Sequence, residues 1–408
     1  MLKYLILILP LLTYGDTLKS LLEFSKQQSD LVISKAYYKE AKNKQVDAKK
    51  SAYYPTIDIG AFYQTLDERT LLLAGDIYSG YAKLSFDIYD GGKKSALLSQ
   101  SKNELLASEY DLESTKKNLS LKITQDFFTI KSLESILKAK KEANVSLKEQ
   151  LTRMERFLSA KLATSDDVDR LQAAYDTNIY NIESLKLQIL TLKKSLELKV
   201  AKKIDRLEDS SFKKFIQEEF ELTDSVKLLV AQKDAVVASG ESIDSALYPQ
   251  VKLENTYSIF GYKNTDALHP KGVDNQNKFL ISLNMRLFDM GTISKSKQVI
   301  MINSQALNSQ IAYIKKEQKM QHDLAIIRIK TSDVKIKSAL SALKSAKSAF
   351  KTITKKYNAG IVDNIVYLDA LTSLTDASAL YESSLNDLEI AYAIYYYYAG
   401  KNIEEFIK

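Results

Sequence analysis

The chain has 408 residues, of which 45% are hydrophobic and 27% are charged, and its formal net charge is +7. This composition excludes a disordered chain and a protein built from many membrane-spanning helices. Because the chain has no cysteine, disulfides, thiol nucleophiles and cysteine-held metals are excluded as well. With 4 prolines and 12 glycines, the sequence favours long uninterrupted helices over many small elements.

The first 15 residues have the pattern of an export signal. Lys3 precedes a short apolar run over residues 4–12, and the small residue Gly15 follows it. The apolar run is too short to span a bilayer. We therefore predict a signal peptide over residues 1–15 that is cleaved from the mature protein. The alternative is a buried N-terminal helix.

A first repeat is predicted over residues 16–201, and it opens with a helix over residues 17–52. Pro55 ends this helix, because proline disfavours a helical residue before it. Residues 57–64 and 78–89 then alternate between apolar and polar side chains, with a polar connection between them. Each of these two predicted strands has about the length of a tilted strand in a membrane barrel.

A long helix follows the second strand. From Gly91 to Leu158 the residues are mostly good helix formers, and apolar residues recur at gaps of seven, four and three, as in helices packed along their length. At 1.5 Å per residue this helix would be about 100 Å long. Ser165 is predicted to cap a return helix that runs to about Val200, with Asp166 and Asp167 in its first turn.

The same series of elements then occurs a second time. A linker of irregular or short helical structure is predicted over residues 202–222, a second repeat over residues 223–400 and a tail over residues 401–408. The two alternating strands of the second repeat cover residues 251–259 and 278–287, and the long helix of this repeat covers residues 291–357. Pro55 and Pro249 are 194 residues apart, and Lys161 and Gly360 are 199 apart. The chain is therefore predicted to be an internal duplication.

The predicted strands each have one apolar and one charged or polar face. The residues predicted to line water on the polar faces are Asp58, Lys83, Asp87, Lys252, Glu254, Lys278 and Arg286. Four strands cannot close a barrel around a lumen, and an open strand edge is not stable in lipid. Three copies would supply twelve strands, a number within the range of membrane barrels. The alternative is a soluble sandwich with the same alternation.

The sequence resembles the TolC-like outer-membrane efflux proteins over nearly the whole mature chain, and three features carry this resemblance. A helix ends in Tyr-Pro before a strand, at Tyr54-Pro55 and Tyr248-Pro249, and a strand ends in an aspartate and glycine before each long helix. The run Tyr357-Asn358-Ala359-Gly360-Ile361 is similar to the consensus at the helix tips of that family, whereas Lys161 stands where the family usually has glycine.

This resemblance implies a mainly α fold, in which duplicated long helical hairpins form an α-barrel and four strands per chain form a shared 12-stranded trimeric β-barrel. It implies a homotrimer in the outer membrane, with the helical barrel projecting into the periplasm. Such proteins are passive exit ducts for efflux or type I secretion. The implied partners are a periplasmic adaptor, an inner-membrane efflux pump or ABC transporter and outer-membrane lipid, with no nucleic acid and no cofactor.

The resemblance also assigns residues to the helix tips. The residues expected to contact the adaptor are Lys161, Leu162, Ala163, Ala359, Gly360 and Ile361. The residues expected near the periplasmic entrance are Asp166, Asp167, Asp363, Val366 and Asp369. Asp369 matches a family aspartate, and a ring of three such carboxylates would favour cations. Val366 takes the place of a second aspartate and would give an apolar constriction. For the aspartates, the alternative is a charge at an exposed helix start.

Two other classes of function compete with a duct. A periplasmic coiled-coil adaptor or scaffold without a pore would explain the long helices but not the four alternating strands. An enzyme is not predicted, because the sequence has no glycine-rich phosphate loop, no metal-ligand cluster and no nucleophile elbow. The lysine-rich stretches lie among glutamate and serine on long helices, which is typical of a solvated face rather than a nucleic-acid surface.

Overall fold

The computed structural model describes residues 15–67, 76–216, 220–265 and 271–408. Residues 1–14 of the predicted signal peptide therefore lie outside the described residues. The helices are α1 (Leu18–Gln28), α2 (Asp30–Ser51), α3 (Lys93–Ser159), α4 (Ser165–Val200), α5 (Asp224–Asp244), α6 (Thr292–Asn358) and α7 (Asn364–Tyr398). The strands are β1 (Thr56–Gln64), β2 (Asp76–Tyr89), β3 (Gln250–Lys263) and β4 (Asn275–Asn284). None of the helices in the described ranges has a stretch apolar enough to cross a membrane.

The chain divides into two compact units, each of which takes segments from both predicted repeats. The sheet unit consists of Tyr37–Asp111 and Ser225–Ile314 and contains all four strands named above. The helical unit consists of Met1–Ala36, Leu112–Asp224 and Lys315–Lys408. Helices α3 and α6 contribute residues to both units.

The two long helices confirm the internal duplication. Helices α3 and α6 each have 67 residues, and both their first and their last residues are 199 positions apart. Each begins after an aspartate whose side chain accepts a backbone N–H of the first turn. The distance is 2.7 Å from Lys94 to Asp90 Oδ2 and 2.8 Å from Ile293 to Asp289 Oδ2. These carboxylates satisfy donors that have no partner inside the helix, which explains the aspartate before each long helix.

The four strands form one antiparallel sheet in the order β1-β2-β3-β4. Asp58 lies opposite Lys83 and Asp87 lies opposite Lys252, so the predicted polar residues share one face of the sheet. The predicted extent of the last strand is wrong. Strand β4 ends at Asn284, where it pairs with the first residue of β3, so Arg286 lies beyond the sheet. The same register would place Arg286 opposite Tyr248, whose N–H donates instead to the carbonyl of Ser245 at 3.2 Å, so Arg286 has no strand partner.

The predicted single helix over residues 17–52 is two helices, with a break at Ser29. Ser29 has an extended backbone with ψ 126°. Its N–H donates to the carbonyl of Ser25 at 3.1 Å, and its carbonyl accepts the N–H of Ile33 at 2.9 Å. Ser29 is buried, and both of its backbone groups are satisfied, so the break needs neither proline nor glycine.

Residues 203–216 of the helical unit are irregular, and they pack on the chain's last residues. Phe212 forms an isolated antiparallel bridge with Ile407, and Lys213 N–H donates to the carbonyl of Phe406 at 2.7 Å. The ring of Phe406 stacks on Tyr396 of α7 with 3.9 Å between ring centroids. Phe212 and Tyr396 are fully buried members of the largest apolar cluster, which fixes this segment and the tail to the helices.

Candidate functional sites at the helix tips and on the sheet

Two turns join the long helices to their return helices, and their backbones are equivalent. The first turn is residues 160–164 and the second turn is residues 359–363, again 199 positions apart. In the first turn Leu162 N–H donates to the carbonyl of Phe157 at 2.8 Å. In the second turn Ile361 N–H donates to the carbonyl of Lys356 at 2.9 Å. This hydrogen bond belongs to the Schellman motif, which ends a helix with one residue in the left-handed conformation.

The left-handed residue differs between the two turns. It is Gly360 in the second turn, with φ 71°, and Lys161 in the first turn, with φ 63°. Glycine adopts this conformation freely, whereas a side chain makes it unfavourable. The residue after the left-handed one is a large aliphatic in both turns. Its side chain is mostly exposed, at 75% for Leu162 and 70% for Ile361. The predicted tip residues therefore lie at the apices of two matching turns.

The predicted cap of α4 is wrong by one residue. The N-cap is Thr164 rather than Ser165, and it forms a capping box with Asp167. Thr164 Oγ1 accepts the N–H of Asp167 at 3.3 Å, and Asp167 Oδ2 accepts the N–H of Thr164 at 3.3 Å. Asp166 lies in the first helical turn of α4, as predicted. It pairs with Arg170 at 2.9 Å, and this exposed contact raises the pKa of the arginine.

The other predicted entrance residues lie at the start of α7. Asp363 is the N-cap, and its Oδ1 accepts the N–H of Val366 at 3.0 Å. Val366 thus has the backbone role that Asp167 has in α4, without the reciprocal carboxylate. Asp369 is exposed, and no lysine or arginine in the described ranges forms an ion pair with it. Asp363 is occupied in helix capping, and the entrance roles of these residues remain predictions.

Two hydrogen bonds link the α3–α4 hairpin to the α6–α7 hairpin near the turns. The side chain of Asn364 is buried and donates to the carbonyl of Asp167 at 3.1 Å. Arg153 Nη1 donates to Asn358 Oδ1 at 2.6 Å. Neither contact was predicted, because an asparagine at a helix end carries no signal for a partner nearly 200 residues away.

A small apolar cluster lies beside these links and contains a stacked tyrosine pair. The rings of Tyr357 and Tyr367 are 4.8 Å apart between centroids, and burial raises the pKa of both hydroxyls. The other members of the cluster are Ala143, Leu147, Leu151, Met154, Leu171 and Leu371. Because its residues come from all four helices of the two hairpins, the cluster packs the hairpins together. Sequence analysis identified Tyr357 as the end of the long helix but missed its packing.

The polar face of the sheet carries a network of charges. Glu254 Oε1 accepts from both Lys83 and Lys252 at 2.8 Å. On the same face Asp58 lies opposite Lys83, and Lys278 lies opposite Thr256. Six of the seven residues predicted to line water therefore share this face, with Arg286 the exception. In the described ranges no group of three or more histidines, aspartates or glutamates is arranged to hold a metal ion.

The opposite face of the sheet is apolar and uncovered. Ile59 is 87% exposed, and other exposed residues of this face are Ile57, Tyr257, Ile259, Phe279, Ile281 and Leu283. Within the described residues β1 pairs only with β2, and β4 pairs only with β3. The sheet thus has two open edges and a large exposed apolar face, which together indicate an interacting surface.

The family model of the outer membrane efflux proteins matches residues 22–198, which is the first of the two repeats. No curated protein sequence matches the chain.

Solved structures match both halves of the chain. A membrane protein from Pseudomonas aeruginosa superposes with a TM-score of 0.83 at 16% identity, over 95% of this chain and 91% of that one. The Campylobacter jejuni CmeC outer membrane channel gives a TM-score of 0.82 at 15% identity, over 95% and 86%. The outer membrane protein VceC from Vibrio cholerae gives 0.79 at 14% identity, over 95% and 96%. The predicted fold class is therefore confirmed.

Proposed function

We propose that this chain is a TolC-like outer-membrane efflux protein and that, with two further copies of itself, it forms a passive exit duct through the outer membrane. The observation that supports this most is the sheet, which is charged on one face, apolar on the other and open at both edges. In lipid each unsatisfied backbone group costs several kcal/mol, so the edges must be paired. Three copies would pair all edges in a twelve-stranded barrel.

The helical unit supports the same assembly. Helix α6 carries an exposed apolar stripe at Met320, Leu324, Ile327 and Val334, with gaps of four, three and seven residues. This is the spacing of a helix that packs along a neighbouring helix. A second copy of the chain would cover the stripe, because a face of this kind is not stable when exposed to water.

In the proposed duct the apolar face of the sheet contacts outer-membrane lipid and the charged face lines water. The helical hairpins project into the periplasm, where a periplasmic adaptor docks at the first and second turns. An inner-membrane efflux pump or ABC transporter supplies the energy, and Asp369 and Val366 lie near the entrance. The cargo is a class of small toxic compounds or a secreted polypeptide, as in efflux or type I secretion.

Reconstitution into planar lipid bilayers tests this proposal. Protein extracted from outer membranes in mild detergent should give discrete, step-like increases in conductance. The same protein dissociated by heat before addition is the control and should give none. Wild-type protein that adds to the bilayer without any conductance step would contradict a duct.

A further inference from the structure

Four cations around the two turns have no ion-pair partner in the described part of the chain. Arg156 lies in the last turn of α3, Lys161 is in the first turn, and Lys355 and Lys356 lie in the last turn of α6. All four are exposed, and none pairs with a carboxylate of the described residues. The tip surface consists of these four residues and the exposed Leu162 and Ile361.

The nearby carboxylates are mostly engaged in the chain's own helix starts. Asp166 pairs with Arg170, Asp167 completes the capping box, and Asp363 accepts the N–H of Val366. Glu155 is the one acidic residue in the last two turns of α3, and it is exposed. Asp167 and Asp363 keep their negative charge when they cap a helix, and Asp369 is exposed as well, so cations and carboxylates both surround the turns. The distinctive feature of the tip surface is Lys161, an exposed ammonium group without an ion pair in the described part of the chain, beside the exposed Leu162.

Lys161 is the residue at which the two turns differ most. Both turns have the same backbone hydrogen bonds and the same left-handed residue. A Cβ added at Gly360 would meet no atom within 4 Å, so packing within the chain does not exclude a side chain at this apex. Lys161 keeps its side chain although the backbone favours glycine. A function for the ammonium group outside this chain would explain why lysine stands here.

We propose that Lys161 determines which partner docks on the first turn, by pairing with a carboxylate on the surface of that partner. This inference rests on the proposed function, in which an adaptor docks at the turns. The contact surface of the partner would carry aspartate or glutamate for Lys161 and an apolar residue for Leu162. Opposite charges brought together at a contact select partners and speed association more than they add affinity.

Site-specific cross-linking in whole cells tests this inference. A photoreactive benzoylphenylalanine replaces Leu162, and mass spectrometry identifies the partner residue that it captures. Lys161→Glu should reduce the yield of this product about tenfold, and Lys161→Gly should reduce it less. Lys344→Glu is the matched control, because Lys344 is an exposed lysine of α6 away from the turns, and its yield should equal that of wild type.

A charge exchange gives the decisive result. The captured segment should contain an aspartate or glutamate close to the cross-linked residue, and changing this acidic residue to lysine should restore capture by Lys161→Glu. Equal capture by wild type, Lys161→Glu and Lys161→Gly would overturn the inference, as would a captured segment without an acidic residue or an absence of any product.

Planar-bilayer conductance of each variant separates the two proposals. If all variants conduct and the exchange fails, the inference is overturned and the duct stands, whereas wild type without conductance contradicts the duct itself.

Discussion

At the scale of single residues, the backbone of Lys161 has a testable energetic consequence. A residue with a side chain in the left-handed region is less stable than glycine there by about 1 kcal/mol. Lys161→Gly should therefore raise the thermal unfolding midpoint, whereas Gly360→Ala in the matching position should lower it. Calorimetry of the two variants in the same detergent measures both effects. A lower midpoint for Lys161→Gly would show that the lysine side chain stabilises the turn.

Glu389 gives a prediction about pH. Its Oε2 accepts the N–H of Phe212 at 2.6 Å, and burial raises the pKa of its carboxyl above the ordinary value. A carboxyl whose folded pKa is raised favours the folded state at acid pH, and this stability is lost as the pH rises through the folded pKa. Glu389→Gln keeps an acceptor for Phe212 without the buried charge. It should be more stable than wild type at pH 8, and the difference should shrink toward pH 5.

Glu389→Ala serves as the control for this prediction. It removes the acceptor and leaves the Phe212 N–H unsatisfied, which should cost about 1–3 kcal/mol. Thermal melting curves of the three proteins at pH 5 and pH 8 give both comparisons. An advantage of Glu389→Gln that does not change with pH would contradict the assignment of a buried, ionised carboxylate.

Residue roles could be predicted where they rest on local spacing. The glycine-like place of Lys161 and the first-turn aspartates of α4 are local features, and the structure has them. Thr164 could also have been identified, because it stands three residues before Asp167 in a capping box. The bond from Asn364 to Asp167 could not, since it depends on how two hairpins pack.

At the scale of elements, the sheet follows from the alternation of side chains. A strand has a period of two, so the polar and apolar faces of β1 to β4 could be predicted from the sequence. The end of β4 could not, because it depends on where β3 begins. The break between α1 and α2 was missed for a similar reason, since Ser29 lacks the usual sequence marks of a helix end.

The two faces of the sheet should respond differently to a new charge. Ile281 lies on the apolar face, and Ser85 lies on the polar face opposite Glu254. Ile281→Lys should reduce the amount of assembled protein in outer membranes, because lysine facing lipid costs about 2–4 kcal/mol at the bilayer centre. Ser85→Lys is the control and should assemble normally. Quantitative immunoblots of unheated membrane samples measure this, and equal assembly of both variants would contradict a lipid-facing surface.

At the scale of the whole molecule, the charged face of the sheet should set the ion selectivity of the duct. Glu254 pairs with both Lys83 and Lys252. Glu254→Gln removes one negative charge from this face in every copy and should shift the reversal potential of the channel toward anion preference. Asp209→Asn, in the irregular segment of the helical unit, is the control and should leave the reversal potential unchanged. No shift for Glu254→Gln would show that this face does not line the conducting path.

The architecture of the chain could be predicted further than its contacts. The duplicated order of elements is encoded in long runs without glycine or proline and in two pairs of alternating strands, and the structure repeats α3 in α6 at a constant offset. The resemblance implied separate helical and stranded parts, but the bounds of the sheet unit and the helical unit were not predicted, because each unit combines segments that are distant in sequence. Packing between distant segments carries little local signal.

The number of chains in the assembled protein tests the central claim most directly. Native mass spectrometry of protein extracted from outer membranes in mild detergent counts the copies that complete the sheet. We expect a single species of three chains, because the open edges of β1 and β4 and the exposed stripe of α6 require neighbouring copies. A single chain that remains dissolved after the detergent is removed would contradict the account.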